Sequence, residues 1–352
     1  MPLPLLPPID PMLAKAVSGV PSQPDGAPAF SYEPKWDGFR AIVWADGDDI
    51  RLGSRGSKDL TRYFPELIDE LRAQLTEPCV LDGEIVVRHG RPGHERLDWE
   101  ALSARIHPAA SRVAKLAVAT PASFIAFDLL ARGEIDLTSM PFRQRRASLE
   151  TLMGSARAPL HLTRTTQDAE LARRWLNEFE GAGLDGVIAK RLDDPYSPGK
   201  RSMLKIKHSR TADVIVTGYR VHKSGSGVGS LLLGLYDSDG TIASVGGASA
   251  FTDARRLELI DELAPLVLRD AHGEPVLGES ERNRFSTSRT TSFVEVKPER
   301  VVEVSYDQME GRRFRHTVQF GRWRTDRETE SCTFDQLEQV ADYSLDEVLA
   351  QT

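Results

Sequence analysis

Lys35 stands in the tetrad Lys35-Trp36-Asp37-Gly38, with Glu33 before it and Arg40 after it. An apolar-leaning run, 29–32, precedes the tetrad and Ala41-Ile42-Val43-Trp44 follows it, which reads as a strand, a tight turn and a second strand. A lysine at such a turn is presented on a fixed backbone and can act as a nucleophile where its neighbours keep it unprotonated. An ordinary hairpin with a solvated lysine fits the same tetrad, so the rest of the chain has to decide. Glu84 and Asp185 are carboxylates in turn-forming Asp-Gly contexts, and Lys205 and Lys207 alternate along a short apolar run, placing both on one side of a strand. The glycine-rich 223–230 segment lies between two strand-like runs instead of opening a helix, so it reads as a hairpin loop and not as a phosphate cradle.

The elements that must hold these residues follow from apolar spacing. Helices are expected over 60–75, 99–106, 142–153 and 168–180, and strands over 80–87, 123–130, 187–190 and 203–207. Hairpin-joined strands with helices inserted between groups give an α+β fold with mainly antiparallel sheets. Residues 1–28, rich in Pro and Gly, are expected to wrap the surface, anchored by Pro11-Met12-Leu13-Ala14. The texture changes near His208. Beyond it come strand-like runs at 214–219, 231–236, 241–245, 301–306 and 317–320, with one amphipathic helix at 254–268 and a polar stretch to about Thr291. Five short strands and one helix fit a small Greek-key barrel of the OB-fold kind. The expected domains are therefore 1–208 and 209–352, the second ending in an acidic tail.

At 352 residues the chain is long enough for two domains, at roughly 150 residues each. No run approaches the roughly 18 apolar residues of a membrane helix, and the proline-broken N-terminus makes a poor signal peptide. Cys79 and Cys332 are lone and far apart and the eight histidines are scattered, so neither a disulfide framework nor a zinc site is indicated, and a cytoplasmic setting is expected. The net charge of −7 resides in residues 328–352, which carry seven acidic and no basic side chains; the remainder is neutral. Within it, Lys200, Arg201, Lys205, Lys207, Arg210, Arg220 and Lys223 form one basic stretch, and Arg312, Arg313, Arg315, Arg322, Arg324 and Arg327 another. Clustered positive charge of this kind suits phosphate backbones. The acidic tail reads first as a solubility segment, with a partner site or an internal competitor for the basic cleft as the alternatives.

Taken in order, Lys35-Trp36-Asp37-Gly38, Ser54-Arg55-Gly56, Leu81-Asp82-Gly83-Glu84, Phe127-Asp128-Leu129-Leu130, Leu184-Asp185-Gly186-Val187-Ile188-Ala189-Lys190, Met203-Leu204-Lys205-Ile206-Lys207 and Phe320-Gly321-Arg322-Trp323-Arg324-Thr325-Asp326-Arg327 span essentially the whole chain. With these motifs the chain resembles an ATP-dependent DNA ligase of the covalent nucleotidyltransferase superfamily, in particular the short bacterial ligases and the ligase domains associated with end joining. Each motif is weak singly; the ordered set is specific.

The resemblance implies that Lys35 attacks ATP to form a lysyl-AMP phosphoramidate. It implies that Glu33 (through side chain or backbone) and Phe127 hold adenine, that Arg40 and Arg55 hold sugar or phosphate, and that Glu84 holds the ribose. Asp185, with Glu84, would hold Mg²⁺ or Mn²⁺, and Lys205 and Lys207 the α-phosphate. Arg322, Arg324, Asp326 and Arg327 would orient pyrophosphate or contact DNA. Each type suits its task. Free lysine titrates near 10.4, and neighbouring cations lower that value. Guanidinium matches phosphate bidentately, and hydrated Mg²⁺ takes one or two carboxylates. The implied function is sealing of a 5′-phosphate to a 3′-hydroxyl at DNA nicks or ends, in repair, by a monomer. Three positions depart from the family pattern: Asp185 stands where Glu is usual, Arg327 where Lys is usual, and Met203 where an aromatic is usual. The rival readings are an RNA ligase or capping-type guanylyltransferase, and a catalytically silent DNA-end adaptor.

Overall fold

The computed structural model describes residues 3–23, 29–91, 93–280, 291–338 and 340–350. The chain forms two units, 1–207 with 340–352 and 208–339.

In the first unit the elements run β1 (Ala14–Val17), β2 (Phe30–Pro34), β3 (Phe39–Asp46), β4 (Asp49–Ser54), α1 (Pro65–Gln74), β5 (Cys79–His89), β6 (Arg96–Leu97), α2 (Trp99–Ala104), α3 (Ala110–Ala119), β7 (Ala122–Arg132), β8 (Ile135–Asp136), α4 (Phe142–Met153), β9 (Leu160–Leu162), α5 (Ala169–Glu178), β10 (Val187–Arg191) and β11 (Met203–Ile206). They build a four-stranded sheet, β1-β11-β10-β2, and a larger one along β4-β3-β5-β7-β8, with β6 and β9 added at β5 and β7. Pairing is antiparallel except for β1 with β11 and β7 with β9. Residues 14–17, expected as surface wrapping, thus form a sheet edge; residues 1–2 and 24–28 of that stretch lie outside the described residues. Helix α3, not among the expected helices, buries Val113 and Ala117.

The larger sheet contains a bulge beside the site. Asp82 pairs with Asp128 and Gly83 with Ala126, which leaves Phe127 as the extra residue. The bulge flips the alternation: Phe124 and Ala126 before it, and Leu129 after it, share one core.

The second unit contains β12 (Arg210–Val221), β13 (Val228–Tyr236), β14 (Ile242–Ala248), α6 (Asp253–Leu263), β15 (Leu277–Ser280), β16 (Thr291–Glu295), β17 (Val301–Tyr306), β18 (Met309–Glu310), β19 (Arg313–Phe314) and β20 (Gln319–Trp323). Strand β12 pairs with β13 along one edge and with β17, then β16, along the other. Strand β13 continues to β14 and β17 to β20. A bridge from Ala248 to Val318 joins the β14 end to the β20 end. Five strands closing on themselves, with a helix between the third and fourth, make the expected OB-fold-type barrel. The polar stretch before Thr291 contributes the hairpin β15–β16 on its flanks, while 281–290 lie outside the described residues. Residues 222–227 are a hairpin loop joining β12 to β13, while 228–230 of the glycine-rich segment open β13.

The tail departs from expectation. Residues 340–350 belong to the first unit, where α7 (Leu345–Leu349) buries Leu345 and Val348 beside Ala172, Trp175 and Phe179 of the α5 region. Tyr343 lies 5.2 Å from the Phe179 ring, the Leu345 amide donates to the Glu95 carbonyl at 3.0 Å, and Asp346 pairs with Arg88. It is therefore a docked segment and not a solvated run of charge. No helix of the described residues is long and apolar enough to cross a membrane.

Candidate functional site

Lys35 follows β2 directly, and its position is set by an extension of the β2–β10 pairing. The Lys35 amide donates to the Gly186 carbonyl at 2.8 Å, and the Asp185 amide donates to the Lys35 carbonyl at 3.0 Å. Two segments 150 residues apart are thereby zipped together. Gly186 has φ +135°, and a Cβ there would stand 2.0 Å from the Ile206 carbonyl oxygen, so only glycine lets β10 and β11 close beside this turn. The result places Lys35 Nζ in contact with Asp185 Oδ2, which also accepts from Lys207 Nζ at 2.8 Å.

Lys35 lines a cavity of about 250 Å³ in the first unit, together with Glu33, Arg40, Arg55, Glu84, Phe127, Lys205 and Lys207. One wall is the face of the small sheet: Glu33 lies opposite Ile188 and Ile188 opposite Lys205, so alternation turns all three the same way. The other wall comes from the large sheet. Arg40 on β3 lies directly opposite Glu84 on β5 and diagonal to Asp82. Its guanidinium donates bidentately to Asp82, both bonds at 2.5 Å, and to the Met12 carbonyl at 3.2 Å. Asp82 is fully buried and also accepts from the Tyr196 hydroxyl at 2.6 Å, and that hydroxyl accepts from the Met12 amide at 3.0 Å. Alternation from Ile125, which lies opposite Glu84, turns Phe127 to this wall, where its ring is only 6% exposed. Arg40 lies 4.5 Å and Lys190 Nζ 4.8 Å from its centroid.

Burial shifts several of these groups. The Glu84 carboxyl is pushed up to about 7 by burial, against the pull of Arg40, Lys35 and the Gly38 amide, which donates to Glu84 Oε1 at 3.1 Å. Glu33 is raised by burial despite its contact with Lys190. Lys205 is lowered, first by burial and then by Lys207 and Lys35. Burial works against the Arg40 charge, but the Asp82 carboxylate outweighs it and raises the guanidinium's value.

No group of three or more His, Cys, Asp or Glu able to cage a metal occurs among the described residues. A hydrated Mg²⁺ needs no such cage, because waters and substrate phosphates complete its shell. Asp185 Oδ1 is buried without a hydrogen-bond partner, so the donor set fits such an ion.

The four residues of the last motif lie in the second unit, within a network of their own. Arg324 and Arg327 both donate to Asp213 Oδ2, at 2.7 and 2.9 Å. Arg324 also pairs bidentately with Asp326, and Arg322 with Glu303. Spacing did not disclose Asp82, Tyr196, Lys190 or Asp213 as parts of these arrangements. Asp82 shares the Glu84 face of β5 by simple alternation, which is the signal that marks it; Tyr196 and Asp213 carry no local signal.

The sequence of 11–207 matches the family model described as ATP dependent DNA ligase domain, and 224–327 the one described as ATP dependent DNA ligase C terminal region. The chain is 55% identical to DNA ligase C1 of Mycolicibacterium smegmatis, over all of both chains, and 53% identical to DNA ligase C of Mycobacterium tuberculosis, over 99% of each. A solved structure of a Lig E DNA ligase matches 89% of this chain and 99% of its own, with TM-score 0.54 at 17% identity, a likeness of fold.

Proposed function

We propose, from the premise that this chain belongs to the ATP-dependent DNA ligase family, that Lys35 is the residue that carries AMP. As a DNA ligase it joins DNA strands at the cost of ATP. What supports the assignment is that Lys35 and seven other residues singled out from sequence line a single cavity.

In this reading Lys35 Nζ sheds a proton to an acceptor, and Asp185 Oδ2 is the acceptor in contact with it. The freed lone pair attacks the α-phosphorus of ATP; the N–P bond forms as the bond to the bridging oxygen breaks, and pyrophosphate leaves. Lys205 and Lys207 offset charge on the α-phosphate, Glu84 accepts from a ribose hydroxyl, Phe127 and Glu33 meet the base, and Arg40 and Arg55 hold sugar or phosphate. Mg²⁺ or Mn²⁺ at Asp185, with Glu84 near, would neutralise phosphate charge. Arg322, Arg324 and Arg327 would exchange carboxylates for pyrophosphate or DNA phosphate oxygens, with Asp326 holding Arg324. AMP then passes to a 5′-phosphate at a nick or end, and the 3′-hydroxyl displaces it. Basic side chains on both units bind duplex backbone without reading sequence. We assign the enzyme to DNA repair, acting as a monomer in the cytoplasm at the nucleoid.

Incubation with α-labelled ATP and Mg²⁺ followed by nicked DNA tests the reading. A labelled protein, a chase of label to the nick, and loss of both in Lys35→Ala are expected. Labelling that survives Lys35→Ala would overturn it.

A further inference from the structure

Lys190 has no part in the transfer described above, yet it is a buried cation, 3% exposed, behind the wall of the cavity. Its Nζ donates to the Phe127 carbonyl at 3.0 Å and pairs with Glu33 Oε1 at 2.8 Å. The sheet register explains the pairing, since Lys190 lies opposite Ser31 and is diagonal to Glu33 on the same face. Glu33 lines the cavity, is 4% exposed, and its second oxygen, Oε2, is buried with no hydrogen-bond partner.

We infer that Lys190 is a positioning residue that decides which purine the cavity accepts, by occupying Glu33 Oε1 and leaving Oε2 as a fixed, acceptor-only atom. The inference rests on the reading that the base lies against Phe127 and Glu33. At the six-position adenine carries an amino donor and guanine a carbonyl acceptor. A buried carboxylate oxygen is satisfied by the first and repelled by the second, and such mismatches of buried polar groups discriminate strongly.

The charged groups around Glu33 are Lys190 from β10, Arg146 from α4 and Asp128 from β7, the last already bidentate with Arg145. Burial raises Glu33 and Lys190 supplies the largest opposing pull. Without Lys190 the carboxyl would take up a proton more readily, and a protonated carboxyl can donate to the guanine carbonyl. Raising the pH would ionise it again and restore the acceptor-only state.

The test is single-turnover labelling of the full chain by α-labelled ATP and by α-labelled GTP between pH 6 and 9. Wild type is expected to favour ATP throughout the upper part of that range. Lys190→Met should lower the ATP-to-GTP ratio at pH 7 by about tenfold or more, with recovery as the pH rises. Lys190→Arg, which keeps the charge, should retain the ratio. Glu33→Gln, whose amide both donates and accepts, should lower it at every pH, and it tests the inference even where Lys190→Met folds poorly. Equal loss of both nucleotides in Lys190→Met at all pH values, or an unchanged ratio in Glu33→Gln, would overturn the role of Lys190. Failure of wild type to label from ATP would instead overturn the reading of the cavity itself.

Discussion

Glu84→Gln should change how the stability of the first unit depends on pH. Burial raises the Glu84 carboxyl from an ordinary 4.5 to about 7, so ionising it in the folded chain costs about 3 kcal/mol more than in the unfolded chain. The sign follows from linkage. With the folded value above the unfolded one, the native state holds the extra proton between those values, and stability falls as pH rises through them. Glutamine keeps the shape, and its oxygen still accepts from the Gly38 amide, but it does not titrate. Glu33 and the other shifted groups are common to both proteins and cancel in the difference. Between pH 5 and 8, wild type should therefore lose about 2–3 kcal/mol relative to Glu84→Gln. Urea unfolding followed by tryptophan fluorescence reports on the right unit, since Trp36, Trp44, Trp99 and Trp175 lie in it and only Trp323 lies in the other. In the proposed reading a ribose hydroxyl donates to Glu84 and favours the carboxylate, so ATP binding near pH 6.5 should release protons from wild type and fewer from the variant. Calorimetry in buffers of different ionisation enthalpy reads that number. A wild-type-minus-variant difference that stays flat across pH 5–8 would refute the argument.

Arg40→Ala should destabilise the first unit by about 3–5 kcal/mol, because it strips the fully buried Asp82 of its bidentate partner. Tyr196→Phe should cost less, about 1–3 kcal/mol, since Arg40 remains and what is lost is one neutral hydroxyl with its two hydrogen bonds; urea midpoints in the reverse order would remove Asp82 as the anchor of that wall. Leu345→Ala should cost about 2–5 kcal/mol in the first unit's transition, as expected for a fully buried leucine. A neutral result by thermal or urea unfolding would return the tail to solvent.

What was legible in the sequence was what depends on alternation and order. Lys205 and Lys207, Arg40 and Glu84 reach the cavity because neighbouring strands keep their parity, and parity can be counted in a sequence. Phe127 also reaches it by parity, two residues on from Ile125, which lies opposite Glu84, but its run is apolar throughout, so apolar spacing does not single it out. The tail was misread because seven carboxylates outweigh its few apolar residues. Tyr343, Leu345 and Val348 make sense only against Trp175 and Phe179, which a one-dimensional reading keeps some 170 residues away.

The charges of the cavity obey a rule that composition conceals. Most of its buried or half-buried cations are matched by carboxylates: Lys35 and Lys207 by Asp185, Arg40 by Asp82, Lys190 by Glu33, while half-buried Lys205 makes no ion pair among the described residues. A nucleotide entering such a site adds phosphate charge to a nearly balanced set, so, Lys205 aside, its phosphates must share buried cations already paired, and a net positive field alone does not account for binding. The gain is then greatest where the balance is incomplete. Asp185 Oδ1 and Glu33 Oε2 are buried and unpartnered, and a donor or ion supplied to each removes a desolvation penalty that folding alone leaves in place. One of these atoms lies on the carboxylate that touches Lys35, and the other on the carboxylate that Lys190 holds. In the proposed reading these atoms mark the two ends of the cavity's chemistry, phosphate transfer and base choice, and the paired cations between them hold the geometry.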